Sequence, residues 1–127
     1  MKSLIVAVAA AAAILAPLAR ADAADAKAGS AVFNKCKACH SLAAGKNMVG
    51  PSLHGLFGRT AGTADKYNYS KPMKAAGAGG LVWTDKTIAE YLKSPKDFVK
   101  GNKMTFIGLK KDSEIENLLA FLKDATK

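Results

Sequence analysis

Cys36-Lys37-Ala38-Cys39-His40 is the stretch on which the reading of this chain turns. Two thiols three positions apart, followed at once by an imidazole, form the C-x-x-C-H signature of covalent haem c attachment. On a helix that spacing puts both sulfurs on one face, where each can add to one of the two vinyl groups of a haem. The histidine next in line then stands beside the iron, for which imidazole is a good ligand. Three uncommon residues, at about one to two per cent each, meet in this fixed pattern by chance in well under about one chain in a thousand. Other uses of paired cysteines fit worse. A thioredoxin-type redox pair calls for a βαβ setting, which the sequence does not predict. A zinc site needs four ligands, and only His54 is left to join Cys36, Cys39 and His40. A disulfide between the only two cysteines would close too small a loop to constrain the chain.

Outward from the motif the pattern is helical. Asp25 to about Lys37 reads as a helix with Asp25 as its cap, and Val32, Phe33 and Cys36 on one side. Lys46 to Arg59 is loop, punctuated by Gly50, Pro51, Gly55 and Gly58. Ala61 to Gly80 is irregular, with a short helix starting near Pro72. Thr84 opens a helix carrying Ile88, Tyr91 and Leu92 on one face, and Ser94-Pro95 restarts another as a serine cap with proline at the first position. Lys100 to Lys111 is loop again. Ser113 and Glu116 have the spacing of a capping box, ahead of an apolar stripe of Ile115, Leu118, Leu119 and Leu122. No strand run, internal repeat or second domain is predicted. The expected fold is all-α, with loops too long for an ordinary bundle, as if they wrapped something large and apolar.

The start of the chain reads differently. Lys2 precedes an apolar run from Leu4 to Leu15, Pro17 breaks it, and Ala19-Arg20-Ala21 follows with small residues at both flanking positions. This is the layout of a cleaved secretory signal over residues 1–21, and the run is shorter than the ~20 residues of a membrane span. Cleavage after Ala21 would leave a domain of 106 residues, 22–127, with no further stretch fit to enter a bilayer. Losing Lys2 and Arg20 takes the formal charge from +9 to +7. Such a charge is compatible with nucleic acid, an anionic membrane or an acidic protein partner. Export argues against nucleic acid, as do scattered lysines with no aromatic residues between them. An acidic protein surface is the expected partner.

A second iron ligand must come from elsewhere. Met48, Met73 and Met104 are the candidates in the exported part of the chain, and a methionine is more often a core filler than a ligand. Met48 is eight residues past His40, while Met104 lies 64 residues beyond it in a polar loop, so spacing favours Met104.

Several stretches, taken together and in order, carry a resemblance: Ala28-Gly29, Phe33 through His40, Val49 through Arg59, Tyr69-Ser70, Leu81 through Thr84, Tyr91-Leu92, Ser94-Pro95, and Lys103-Met104-Thr105-Phe106. The chain resembles the class I cytochrome c family, and within it the bacterial c2-type relatives of mitochondrial cytochrome c. The resemblance implies a cytochrome c fold, an all-α domain with long loops wrapped around one covalent haem. Its first and last helices would cross at Gly29, with Phe33, Leu118 and Phe121 near the contact. It implies one haem c, held by Cys36 and Cys39 and ligated through iron by His40 and Met104. The Gly50-Pro51 loop would orient the His40 ring through a carbonyl. Arg59, Tyr69 and Trp83 would surround the propionates, Tyr91 would lie near the methionine sulfur, and Phe106 beside the exposed haem edge. Three positions depart from the family: Asn102 stands where relatives usually have threonine, Met73 where many have asparagine, and Asp97 where mitochondrial relatives have lysine. His54 is not expected to be a ligand.

The implied function is a soluble, periplasmic, monomeric one-electron carrier rather than an enzyme. It would shuttle between membrane redox complexes of a respiratory or photosynthetic chain, with a cytochrome bc1-type donor and an oxidase or reaction centre as acceptor. Lys35, Lys37, Lys46, Lys71, Lys96, Lys103, Lys110 and Lys111 are candidates for a ring that steers acidic partners. The alternative is a peroxidase-like haem enzyme or a ligand-binding protein with an open sixth position.

Overall fold

Asp25 starts the first helix. Its carboxylate accepts the N–H groups of Lys27 at 2.8 Å and Ala28 at 3.3 Å, two donors that a first turn leaves without partners. Helix α1 then runs over Ala26–Phe33, followed by α2 (Lys71–Ala78), α3 (Asp85–Lys93), α4 (Pro95–Phe98) and α5 (Asp112–Ala125). This computed structural model describes residues 24–127, together with 3, 5 and 7–14. Of the expected signal segment, Pro17 and the Ala21 boundary lie outside the described residues, while 7–14 are exposed and without regular structure. No described helix is long and apolar enough to cross a membrane. Among the described residues the β-pairing amounts to an isolated antiparallel bridge between Thr60 and Val82, so the all-α expectation holds.

The first and last helices meet. Gly29 on α1 sits against the backbone carbonyl of Asn117 on α5, where any side chain would collide. Phe33 and Phe121 pack beside that crossing with ring centroids 5.3 Å apart. Behind it the α5 stripe of Ile115, Leu118 and Leu122 is buried.

Three local expectations fail for physical reasons. First, α1 stops at Phe33 rather than Lys37. The chain continues in tighter i→i+3 turns, with Asn34 bonded to the Ala31 carbonyl and Lys35 to that of Val32. The cysteine motif therefore lies on turns beyond the helix. Second, Ser94 occupies the cap position of α4 with Pro95 first in the helix, as expected, but its hydroxyl accepts no helix N–H and instead donates to the Asp97 carboxylate at 2.8 Å. Third, Ser113 does not cap α5. The helix begins one residue earlier, with Lys111 in the cap position, and Asp112 and Glu114 place negative charge on the first turn. Thr84 opens α3 as expected, exchanging side-chain to backbone bonds with Thr87 at 3.2 and 2.8 Å, and Ser70, not singled out from the sequence, caps α2 through the Met73 N–H.

Candidate functional site

The loops between these helices enclose a cavity of about 320 Å³, within the size range of small-molecule sites. Its wall is mostly apolar. Cys36, Cys39, His40, Arg59, Tyr69, Trp83, Tyr91 and Met104, the eight residues singled out from the sequence, all line it. So do Met73 and Phe106. Met48 does not line it and is 42% exposed, which removes it from the candidate ligands. His54 is likewise exposed and absent from the wall.

Both cysteines are free thiols. The turn that carries them is closed by the Cys39 and His40 N–H groups, which donate to the Cys36 carbonyl at 3.1 and 3.0 Å. Burial pushes the Cys36 thiol up, against the pull of the Lys35 charge. Beyond the turn, His40 Nδ1 donates to the Pro51 carbonyl at 2.8 Å. A carbonyl can only accept, so the bond puts the proton on Nδ1 and leaves the Nε2 lone pair available to a metal. Burial holds the His40 pKa below its ordinary value, partly countered by that Pro51 bond. Gly50 has no room for a side chain, because a Cβ there would enter the His40 ring.

Arg59 supplies a positive charge next to the cavity. One terminal nitrogen donates to the Ser52 and His54 carbonyls at 2.9 and 3.2 Å, but the buried Nε has no partner. An orphaned guanidinium N–H beside a large apolar cavity calls for an anion. Burial lowers the Arg59 pKa, offset by Tyr69. The Tyr69 hydroxyl accepts the Ala64 N–H at 3.0 Å. Trp83 is buried and packs on Tyr91 at 5.0 Å between ring centroids. The Tyr91 hydroxyl lies 3.8 Å from Met104 Sδ and 3.4 Å from Asn102 Oδ1, and burial pushes its pKa up to about 12.

These features suit one haem c: two thiols, a histidine with its outer nitrogen free, a thioether sulfur, a buried guanidinium N–H without a partner to meet a carboxylate, and apolar walls. Two participants escaped the sequence reading. Tyr67 lines the cavity, donates to the Val49 carbonyl at 2.7 Å and lies under Lys103 Nζ, 4.6 Å from its ring centroid. Asn102 was visible only as a departure from a pattern. Of the candidate steering lysines, Lys35 and Lys103 line the cavity, although Lys35 is also paired with Glu114 at 3.6 Å and Lys110 donates to the Lys93 carbonyl.

A family model described as Cytochrome c matches residues 26–126. The chain is 53% identical over 97 residues to a cytochrome c2 of Afifella marina, covering 76% of this chain and 78% of that one. It is 49% identical over 104 residues to a cytochrome c-550 of Nitrobacter winogradskyi, with coverage of 81% and 93%. Among solved structures it superposes on the cytochrome c2 of Rhodospirillum centenum with a TM-score of 0.76, at 40% identity over 81% of this chain and 99% of that one. The ferricytochrome c2 of Rhodopseudomonas palustris gives a TM-score of 0.74 at 41% identity, with coverage of 81% and 99%.

Proposed function

The chain belongs to the cytochrome c family, and from that premise we propose that its residues Cys36, Cys39, His40 and Met104 bind one haem c and make it a c2-type electron carrier. It is not an enzyme, and the fold is that of the class I proteins. When bound, the haem supplies one-electron exchange between ferrous and ferric iron.

The chain's own residues do the rest. Cys36 and Cys39 hold the cofactor through two thioether bonds. His40, oriented by Pro51, and Met104 would be the residues that hold the iron, and with both engaged it would offer no place for peroxide or another substrate. A neutral sulfur and an apolar wall disfavour the extra positive charge of the ferric state, which raises the potential. Arg59 would offer its unpartnered Nε–H to a propionate, with Tyr69 and Trp83 in the same wall. Trp83 and Tyr91 keep water from the methionine side. Lysines about the cavity steer acidic redox proteins or membrane complexes, with a bc1-type donor and an oxidase or reaction centre as acceptor. A periplasmic, soluble monomer released by cleavage after Ala21 is the form in which it works.

The observation that carries this reading is the meeting of His40 and Met104, 64 residues apart in sequence, in the wall of the cavity that also holds both thiols. Intact mass should equal the chain from Asp22 plus one haem, and haem should stay on the polypeptide through denaturing electrophoresis. The ferric protein should show the far-red charge-transfer band of methionine–iron ligation. Haem released by acid-acetone extraction, or no such band, would refute it.

A further inference from the structure

Asn102 is a buried polar side chain, 8% exposed, in a position where a polar group needs every partner it can get. It has them all. Its Nδ2 donates to the Pro95 and Val99 carbonyls, both at 2.8 Å, at either end of the short helix α4. Its Oδ1 accepts the Met104 N–H at 2.9 Å and the Tyr91 hydroxyl at 3.4 Å. The two donors and two acceptor sites of the amide are thus filled. A flipped amide would set oxygen against two carbonyls and NH2 against two donors, so the orientation is fixed.

We infer that Asn102 is a positioning residue for Met104: its amide fastens the loop that carries the sulfur to α4, and it shares the Tyr91 proton with that sulfur. The inference rests on Met104 being the axial ligand. The Met104 backbone is held at its nitrogen, so the side chain starts from a defined point. Tyr91 has one proton and two acceptors in reach, Asn102 Oδ1 at 3.4 Å and Met104 Sδ at 3.8 Å. A carbonyl oxygen is the stronger acceptor, so Asn102 draws the proton away and leaves the sulfur electrons for a soft metal. On the next residue the loop is held from the other side, where Lys103 Nζ donates to the Asn68 carbonyl and rests over the Tyr67 ring. Threonine could not replace this arrangement, because its single hydroxyl proton cannot serve the Pro95 and Val99 carbonyls together.

The test uses the ferric holoprotein. Imidazole is titrated against wild type, Asn102→Ala and Asn102→Thr, and the temperature at which the far-red band disappears is compared with that of global unfolding. Asn102→Ala should bind imidazole at least about tenfold more tightly, and its far-red band should vanish well below its unfolding temperature. Asn102→Thr, which keeps one hydrogen-bonding group, should move the same way by less, and it carries the test if the alanine variant does not fold. In a Met104→Ala background the change at Asn102 should bring no further gain in imidazole affinity. Wild-type imidazole affinity in the Asn102 variants, with a band that melts together with the fold, overturns the inference and leaves Met104 as ligand. A far-red band that survives Met104→Ala overturns the ligand assignment itself, and the inference with it.

Discussion

The α-carbon of Gly29 and the carbonyl oxygen of Asn117 lie so close that no side chain fits between the first and last helices. Gly29→Ala should therefore be destabilising even though alanine favours a helix by up to ~1 kcal/mol over glycine. Overpacking against backbone, which cannot swing aside as a side chain can, costs about 1–3 kcal/mol. Urea unfolding of the holoprotein should show the midpoint falling, while the spectrum of the folded fraction stays that of wild type. An unchanged or higher midpoint would mean that the crossing can open without loss.

Met104→Ala removes one thioether from the wall and leaves buried Met73 as the other methionine that lines it. The variant should bind carbon monoxide and cyanide, gain peroxidase activity and show a lower reduction potential. A potential and ligand affinity equal to wild type would point to Met73 instead.

Charge around the cavity is expected to act on rates. Lys103→Glu and Lys37→Glu should each slow bimolecular oxidation by an acidic partner about threefold or more at low salt and flatten its decline with ionic strength. Lys103 also sits on Tyr67, so its variant must keep the wild-type haem spectrum for the comparison to count. Lys127, paired with Asp124 at the chain end, is the control, and its reversal should matter less. Equal small effects at all three positions would reduce the basic charge to a solubility feature.

Tyr69 gives the fold a dependence on alkaline pH. Burial raises its pKa above 10.0, outweighing the Ala64 hydrogen bond and the Arg59 charge. The folded chain thus keeps a proton that the unfolded chain gives up first. The associated stability is whole below about pH 10 and is lost as pH rises through the folded pKa. Wild type should lose stability relative to Tyr69→Phe as pH rises above about 10, as read by urea midpoints. A constant difference would show that Tyr69 titrates alike in both states.

The cysteines and His40 could be read because their chemistry is confined to five consecutive residues. Met104 was harder: three methionines fit the chemistry, and spacing alone gives only a preference. The helices were legible from apolar stripes, but their ends were not. Ser94 and Ser113 both look like caps, yet one is drawn to Asp97 and the other is overrun by a helix that starts at Asp112. Asn102 and Tyr67 stayed hidden for a different reason. Their partners, Pro95 and Val99 for one and Val49 for the other, are backbone carbonyls, which leave no trace in the identity of the residues that own them.

The compactness of the Cys36–His40 turn divides the cavity wall into a part that is local in the chain and a part that is not. That turn is closed by its own backbone bonds to the Cys36 carbonyl and braced by its neighbours Gly50 and Pro51, whereas Met104 joins the cavity wall from a loop 64 residues beyond His40. The two thiols and the imidazole are thus set by one local turn, whereas the thioether reaches the same cavity only through contacts distant in sequence.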